Sequence, residues 1–348
     1  MSNFQIGLAV TGGVVLAAMV GHSVWISSRN RPRQPNAPGP DDAGGSELQR
    51  GGGIEPGLDA AAFELASFPL PVLERKSSLD ALIDVIAAIS VDGPVSGEAA
   101  LAAMPSTRRA GGKPFSIEGL NEASQSWETP LAGQRYGAFQ AGVQLANRTG
   151  ALNDIEYSEF VIKTQDFCET INATPDFPEM REAVARAREL DQFASEHDAQ
   201  LGFVLRARNS AWSPGYVQQN AAQLGFVAGV IPGRMVLPAR VAGMPPVLGL
   251  SFDAQAAMAD DPAQSAIREL SISLDVPQVD RAECAFQRLR ETAWRLAESM
   301  DGVVTDDNGV ALPVHAMDSI GADLEQLYDA LDQHDLSAGS AVARRLFS

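Results

Sequence analysis

Two cysteines and four histidines in 348 residues offer little from which to build a disulfide framework or a metal site. Cys168 and Cys284 stand far apart in the chain, and His22, His197, His315 and His334 lack the short spacings that metal ligands use. Both thiols read as small packed hydrophobes in a reducing compartment. Basic residues are also scarce, 26 against 44 acidic, for a net charge of −18. Such a chain lacks the cationic surface that neutralises phosphate, which argues against nucleic acid as a partner. The deficit is general: residues 75–198 carry net −8 and residues 199–348 net −7. Chemistry-bearing motifs are missing too. There is no HExxH, GxSxG, Walker or dinucleotide fingerprint, and the GGG at 51–53 has no GK[ST] after it. Asp306 and Asp307 precede a turn and read as turn residues rather than an acid/base pair. These absences point to a protein that is not an enzyme and carries no cofactor or metal.

Apolar residues are present at 45%, but they are distributed unevenly. Phe4 to Ile26 (FQIGLAVTGGVVLAAMVGHSVWI) contains no Lys, Arg, Asp or Glu and would span roughly 30 Å as a helix. Arg29, Arg31 and Arg33 follow at once, whereas a cleaved leader would place its cations ahead of a shorter core. Residues 1–28 are therefore expected as a retained single-pass anchor in a lipid bilayer. The positive-inside rule puts its N-terminus outside and everything after Arg29 in the cytoplasm. Residues 29–74 are dominated by Pro, Gly, Asn, Gln and Asp as far as residue 58, too poor in apolar side chains to offset chain entropy. They read as a flexible tether, with a short helix in 59–74.

Residues 199–335 are the most legible. LGFVLRAR (201–208) is a strand. Ser213-Pro214 caps a helix with Val217, Ala221 and Leu224 on one face and Gly225 beyond its end. Strands FVAGVI (226–231) and PVLGLSF (246–252) follow, separated by a Gly/Pro stretch. In ELSISLDV (269–276) the apolar Leu270, Ile272, Leu274 and Val276 alternate with Glu269, Ser271, Ser273 and Asp275. Asp280-x-x-Glu283 suggests a capping box for a long helix closed by Gly302. Asp307-Asn308-Gly309 signals a hairpin, and Ile320, Leu324, Leu327 and Leu331 stripe a final helix. The fold class predicted is α/β (α+β): an antiparallel sheet with amphipathic helices on one face and the other face open. An uncovered face is a candidate binding surface or the docking face of a neighbouring domain; Arg206 and Arg208 on the first strand read as solvated surface first, and as partners for an acidic tail peptide second. Residues 336–348 are left as a C-terminal tail.

Residues 75–198 repeat the pattern. Strands are expected at 81–89, 115–120, 136–146 and 159–167, with a short helix from Ser96 to Pro105 and a long one opened by Asp176-x-x-Glu179. The third of these strands puts YGAFQAGVQLAN beside LGLSFDAQAAMAD, and the long helix puts FASEHDAQL beside LAESMDGVV. These likenesses suggest an internal duplication with a degenerate first copy; the alternative is coincidence, since α/β domains commonly repeat strand and helix elements. The strand at 200–208 is positioned to complete one sheet while starting the next.

The anchor, the Pro/Gly tether and above all LSISLDVPQVDRAECAFQRLRETAWRLAESMDGVVTDDNGVALP (270–313) resemble the ZipA family of bacterial cell division proteins. That resemblance implies a shallow apolar groove on the open sheet face for the C-terminal tail peptide of FtsZ. Carried over strand by strand, the groove positions are Ala207, Ile231, Phe252, Ala254, Ser271 and Ser273. Ser271 and Ser273 depart from the family, which tends to place larger or more apolar side chains there. The resemblance further implies a protein of the cell inner membrane at midcell that tethers or stabilises the Z ring. The residues alone also admit a membrane-tethered peptide-binding scaffold with a partner other than FtsZ.

Overall fold

The computed structural model describes residues 33–34, 79–259, 265–306 and 309–348. The expected membrane span, almost all of the tether and the Asp307-Asn308 turn lie outside the described residues. No helix among the described residues is long and apolar enough to cross a membrane. The chain divides into two compact units, one containing residues 79–192 and the other residues 33–34 with 193–348.

The first unit contains β1 (Asp84–Val91), β2 (Val95–Ser96), α1 (Gly97–Ala103), β3 (Arg109–Ala110), β4 (Lys113–Asn121) and β5 (Trp127–Glu128). It continues with β6 (Arg135–Gln144), β7 (Ala146–Asn147), β8 (Gly150–Ala151), α2 (Asp154–Ile171) and β9 (Ala173–Asp176). The helix α3 (Met180–His197) then leads across the boundary. Strand alternation decides which side is core. Val85, Ala87 and Ile89 of β1, Phe115 and Ile117 of β4, and Phe139, Ala141 and Val143 of β6 are buried on one face. Their sheet runs β3-β4-β6-β1-β9, antiparallel throughout. Phe160 and Phe167 of α2 close this core, meeting Phe115 at 6.0 Å and Phe139 at 5.4 Å edge to face.

The segment 159–167, expected as a strand, is helix. Asn153 Oδ1 accepts from the N–H groups of Ile155 and Glu156, and the Glu156 carboxylate reaches back to the Asn153 N–H, so a capping box opens α2. Tyr157, Phe160, Thr164, Phe167 and Cys168 are buried at three- and four-residue spacing, while Ile155 and Ile162 face solvent. The apparent two-residue alternation ran through Phe160, Ile162 and Thr164, of which Ile162 is exposed. Cys168 is thus a buried helix residue, and desolvation pushes its thiol up to about 11. The last strand of the sheet is β9, paired to β1.

The second unit contains β10 (Gln200–Ala207), α4 (Pro214–Gln223), β11 (Val227–Ala228), β12 (Arg234–Leu237), β13 (Leu248–Ser251) and α5 (Ala254–Ala257). It continues with β14 (Glu269–Asp275), α6 (Ala285–Met300), β15 (Gly302–Thr305), α7 (Val314–Gln333) and α8 (Ala341–Leu346). The sheet order is β11-β12-β13-β14-β10-β15, again antiparallel. Strand β10 is therefore an interior strand of this sheet, next to its β15 edge, and pairs with β14 and β15 rather than extending the first sheet. Ser213 caps α4 as expected, its hydroxyl accepting from Tyr216 N–H at 3.2 Å. Trp212 is fully buried and donates from Nε1 to the Met300 carbonyl at 2.8 Å, fastening the end of α6 to the entry of α4.

Five local expectations are corrected. Strand β12 lies in the segment that its flanking Gly and Pro made look like loop. Asp280 and Glu283 form no capping box for α6: Asp280 caps a short 3-10 turn at Arg281–Glu283, and Cys284 adopts a left-handed conformation (φ 51°) before α6 begins. Glu283 instead accepts from Arg240 N–H at 3.0 Å and pairs with Arg288 at 2.7 Å. The helix stop is Asp301 (φ 53°), one residue before Gly302. Cys284 is exposed rather than packed. Residues 336–348 belong to the fold, since Leu336, Leu346 and Phe347 are buried and Gln278 Nε2 donates to the Arg344 and Phe347 carbonyls. At Arg33 the chain is bound to this unit. Its N–H donates to the Ala211 carbonyl, its own carbonyl accepts from Ser213 N–H, and its guanidinium pairs with Asp301 at 3.0 Å.

The two sheets share one connectivity. Each begins with a strand and a helix, crosses to the far edge, adds strands inward toward the first, and returns through a long helix to a last strand on the first strand's other side. The order β3-β4-β6-β1-β9 corresponds to β12-β13-β14-β10-β15. By this correspondence α2 matches α6 and β6 matches β14. The sequence likenesses noted above instead set β6 beside β13 and α3 beside α6.

Candidate functional site: the open sheet face

Helix α6 packs on β10, β14 and β15, and its Leu289, Ala293, Leu296 and Met300 are buried. Phe203, Leu205, Met235, Leu237, Leu248, Leu250, Leu270, Ile272 and Leu274 point to the same side and are buried. Among the described residues the opposite side of the sheet is largely left facing outward; at the β15 edge Thr305 is buried. Residues paired directly across an antiparallel ladder point to the same face, so register maps this surface. One row runs Val227, Val236, Gly249, Ser273, Gly202. The next runs Arg234, Ser251, Ser271, Val204, Thr305. A third carries Glu269, Arg206 and Val303.

The centre of this face is made of glycines and serines. By register and side-chain size, Gly249, Ser251, Ser271, Ser273 and Gly202 make a low strip, a shallow furrow over β13, β14 and the start of β10. Val227 and Val236 rim one side, and Val204 and Arg206 the other. A Cβ added at Gly202 would meet nothing nearer than the Ile272 carbonyl at 4.0 Å, so the glycine leaves open room above the strand. At Gly249 the added Cβ would come within 2.8 Å of Ser273 Oγ. Backbone can approach closely there, and a glycine inside a strand is a common mark of such approach. Val227, Val230 and Ile231 are exposed at the β11 end, extending the rim with apolar surface. Arg206 lies 3.5 Å from Glu269 across the ladder and packs its guanidinium against Gly309.

Of the six positions expected to line a groove, Ser271 and Ser273 are exposed on this face. Ile231 is exposed in the β11–β12 loop. Ala207 and Phe252 have the parity of the buried side, one residue out of step with Arg206 and Ser251, and Phe252 is buried. Ala254 opens α5 behind the Asp253 cap and is half-buried. The sequence reading missed Gly202, Val204, Val236 and Gly249. Glycines inside LGFVLRAR and PVLGLSF were the available signal.

A second concavity lies on the helix side, a cleft of about 350 Å³ between α6 and α7 lined by Cys284, Phe286, Arg290, Met317, Gly321 and Tyr328. Its charged groups are paired with one another. Arg281 bridges Glu325, Asp329 and Asp332, and Arg290 meets Asp318 at 2.7 Å. Asp329 and Glu325 raise the Arg281 pKa further, and burial pushes the Tyr328 hydroxyl up to about 12. Among the described residues no group of three or more His, Cys, Asp or Glu is placed to hold a metal ion.

Residues 256–323 match the family described as ZipA, C-terminal FtsZ-binding domain. That stretch is similar to ZipA-type FtsZ-binding domains. The matched residues include β14, α6, β15 and the first half of α7, and contain the stretch 270–313 on which the resemblance was read. Within the ZipA-type match, Ser271 and Ser273 stand at the centre of the open face; β10 to β13 lie outside it. No curated protein matches the chain.

Proposed function

We propose that this chain is a membrane-anchored, non-enzymatic cell division protein whose open sheet face binds the FtsZ C-terminal tail. The observation that carries the reading is the position of the ZipA-type match, in which β14, paired on both sides, forms the middle of a furrow that no helix among the described residues covers. An extended peptide laid over Gly202, Ser273 and Gly249 would bring its backbone close to the sheet and seat apolar side chains between the valine rims. The unit is acidic, so attraction between bulk charges does not supply the affinity; local apolar burial does, at roughly 25 cal/mol per Å². The segment 4–26 anchors the chain in the inner membrane with its N-terminus outside, and the domains stand in the cytoplasm at midcell. Weak contacts to many tails along one filament then add through effective concentration, tethering the Z ring.

The exposed hydroxyls of Ser271 and Ser273 favour a second reading, a membrane-tethered scaffold for a different peptide. Titrating the full chain in lipid nanodiscs with an FtsZ C-terminal tail peptide separates the two. Saturable binding that Val204→Asp abolishes supports the FtsZ reading. A folded chain that takes up no peptide removes FtsZ as partner and leaves the scaffold.

A further inference from the structure

The first unit has the same sheet connectivity and its own outward face, but that face is handled differently. Ile86, Ala88, Ser116, Glu118, Gln140 and Gly142 point away from the aromatic core, as the registers of β1, β4 and β6 require. Over this face sits Leu79, just ahead of β1. It is buried although it stands outside the core cluster, and a Cβ added to Gly142 would collide with its Cδ2. Its backbone N–H donates to Glu118 Oε1 at 3.3 Å, and Glu118 Oε2 accepts from Gln140 Nε2 at 2.9 Å. The Asp80–Ile83 turn then carries the chain back into the sheet, where the Ile83 carbonyl accepts from Leu145 N–H at 2.8 Å.

An apolar side chain in a glycine notch, with a main-chain N–H held by a strand residue, is how an extended peptide would engage an open sheet. Gly142 lies on β6, which occupies the place in the first sheet that β14, with Ser273, occupies in the second. We propose that the outward face of the first sheet is a second peptide-docking surface, closed by the chain's own Leu79 seated at Gly142. The plug leaves the second unit's furrow as the open one, and its removal uncovers a notch for an apolar side chain. This rests on the peptide-binding reading above only for the choice of probe.

The test is the number of FtsZ tail peptides bound per full chain in nanodiscs, for wild type, Leu79→Asp and Leu79→Asp/Gly142→Ala. Leu79→Asp empties the notch, and the added alanine methyl fills it again. Binding is expected to rise by one peptide per chain in Leu79→Asp and to fall back in the double variant. Unchanged stoichiometry in Leu79→Asp with native circular dichroism overturns the proposal, as does a rise that Gly142→Ala leaves in place. If wild type takes up no peptide, the furrow reading fails, yet a gain from none to one on Leu79→Asp still supports the plug. Leu79→Ala, which buries no charge, replaces Leu79→Asp if that variant loses its native spectrum.

Discussion

Replacing Gly202 by leucine should strengthen the fold and weaken partner binding, a combination that few surface substitutions produce. Glycine inside a strand costs roughly 0.5–1 kcal/mol relative to alanine because more backbone freedom is lost on folding. A Cβ at residue 202 has open space around it, with its nearest neighbour at 4.0 Å. The second unit should therefore gain about 0.5–1 kcal/mol. The same side chain would stand in the furrow, beside Ser273 on the paired strand. If it displaces one apolar peptide side chain, the lost burial is about 1.5–3 kcal/mol, or roughly 10- to 100-fold in affinity. Native-state hydrogen exchange at the β10 and β14 amides reports the stability of this unit independently of the other, and a peptide titration of the same variant reports binding. A fall in protection of more than tenfold would refute the packing argument. Affinity kept within twofold of wild type would refute the furrow.

Three further outcomes follow from the cores and caps. Trp212→Phe removes the donor to the Met300 carbonyl, and the buried acceptor left behind should cost the second unit about 1–3 kcal/mol in chemical denaturation. Asn153→Ala deletes the α2 cap and should destabilise the first unit by about 1 kcal/mol, visible as faster exchange of the Ile155 and Glu156 amides. Burial raises the Cys168 thiol from 9.0 to about 11, so above pH 9 the unfolded chain releases a proton that the native state keeps. The stability this thiol confers is complete below pH 9 and lost as pH rises to about 11, by up to roughly 2–3 kcal/mol. A Cys168→Ala variant should lack that loss in denaturation curves taken across the range.

The strands that became legible in the sequence were those whose two faces have different solvents. In β14 strict alternation of Leu270, Ile272 and Leu274 with serine and acid reports core on one side and open face on the other. Helices α4 and α6 were equally plain from their apolar stripes. The segment 159–167 misled because Phe160, Ile162 and Thr164 alternate by chance; the capping signal at Asn153 and Glu156 was the better guide. Strand β12 was hidden because four residues between Gly233 and Pro238 are too few to show a period. The open face was predicted from helix amphipathicity, but its lining was half obscured. A shift of one residue moves a strand side chain to the other face, which is what happened at Ala207 and Phe252. The glycine floor was overlooked although Gly202 and Gly249 stand inside strand segments, because an absent side chain adds nothing to the hydropathy pattern. The plug at Leu79 depends on a contact 63 residues away in sequence, Gly142, that only the folded sheet brings together.

The central claim is that the furrow, and not the helix-side cleft, receives the FtsZ tail. Alkylation of Ser273→Cys in the full chain tests it directly, because the exposed native Cys284 lines the α6–α7 cleft and serves as an internal reference. Saturating FtsZ tail peptide should slow labelling at residue 273 at least tenfold and leave Cys284 unchanged. Protection of Cys284 with residue 273 still reactive would contradict the account.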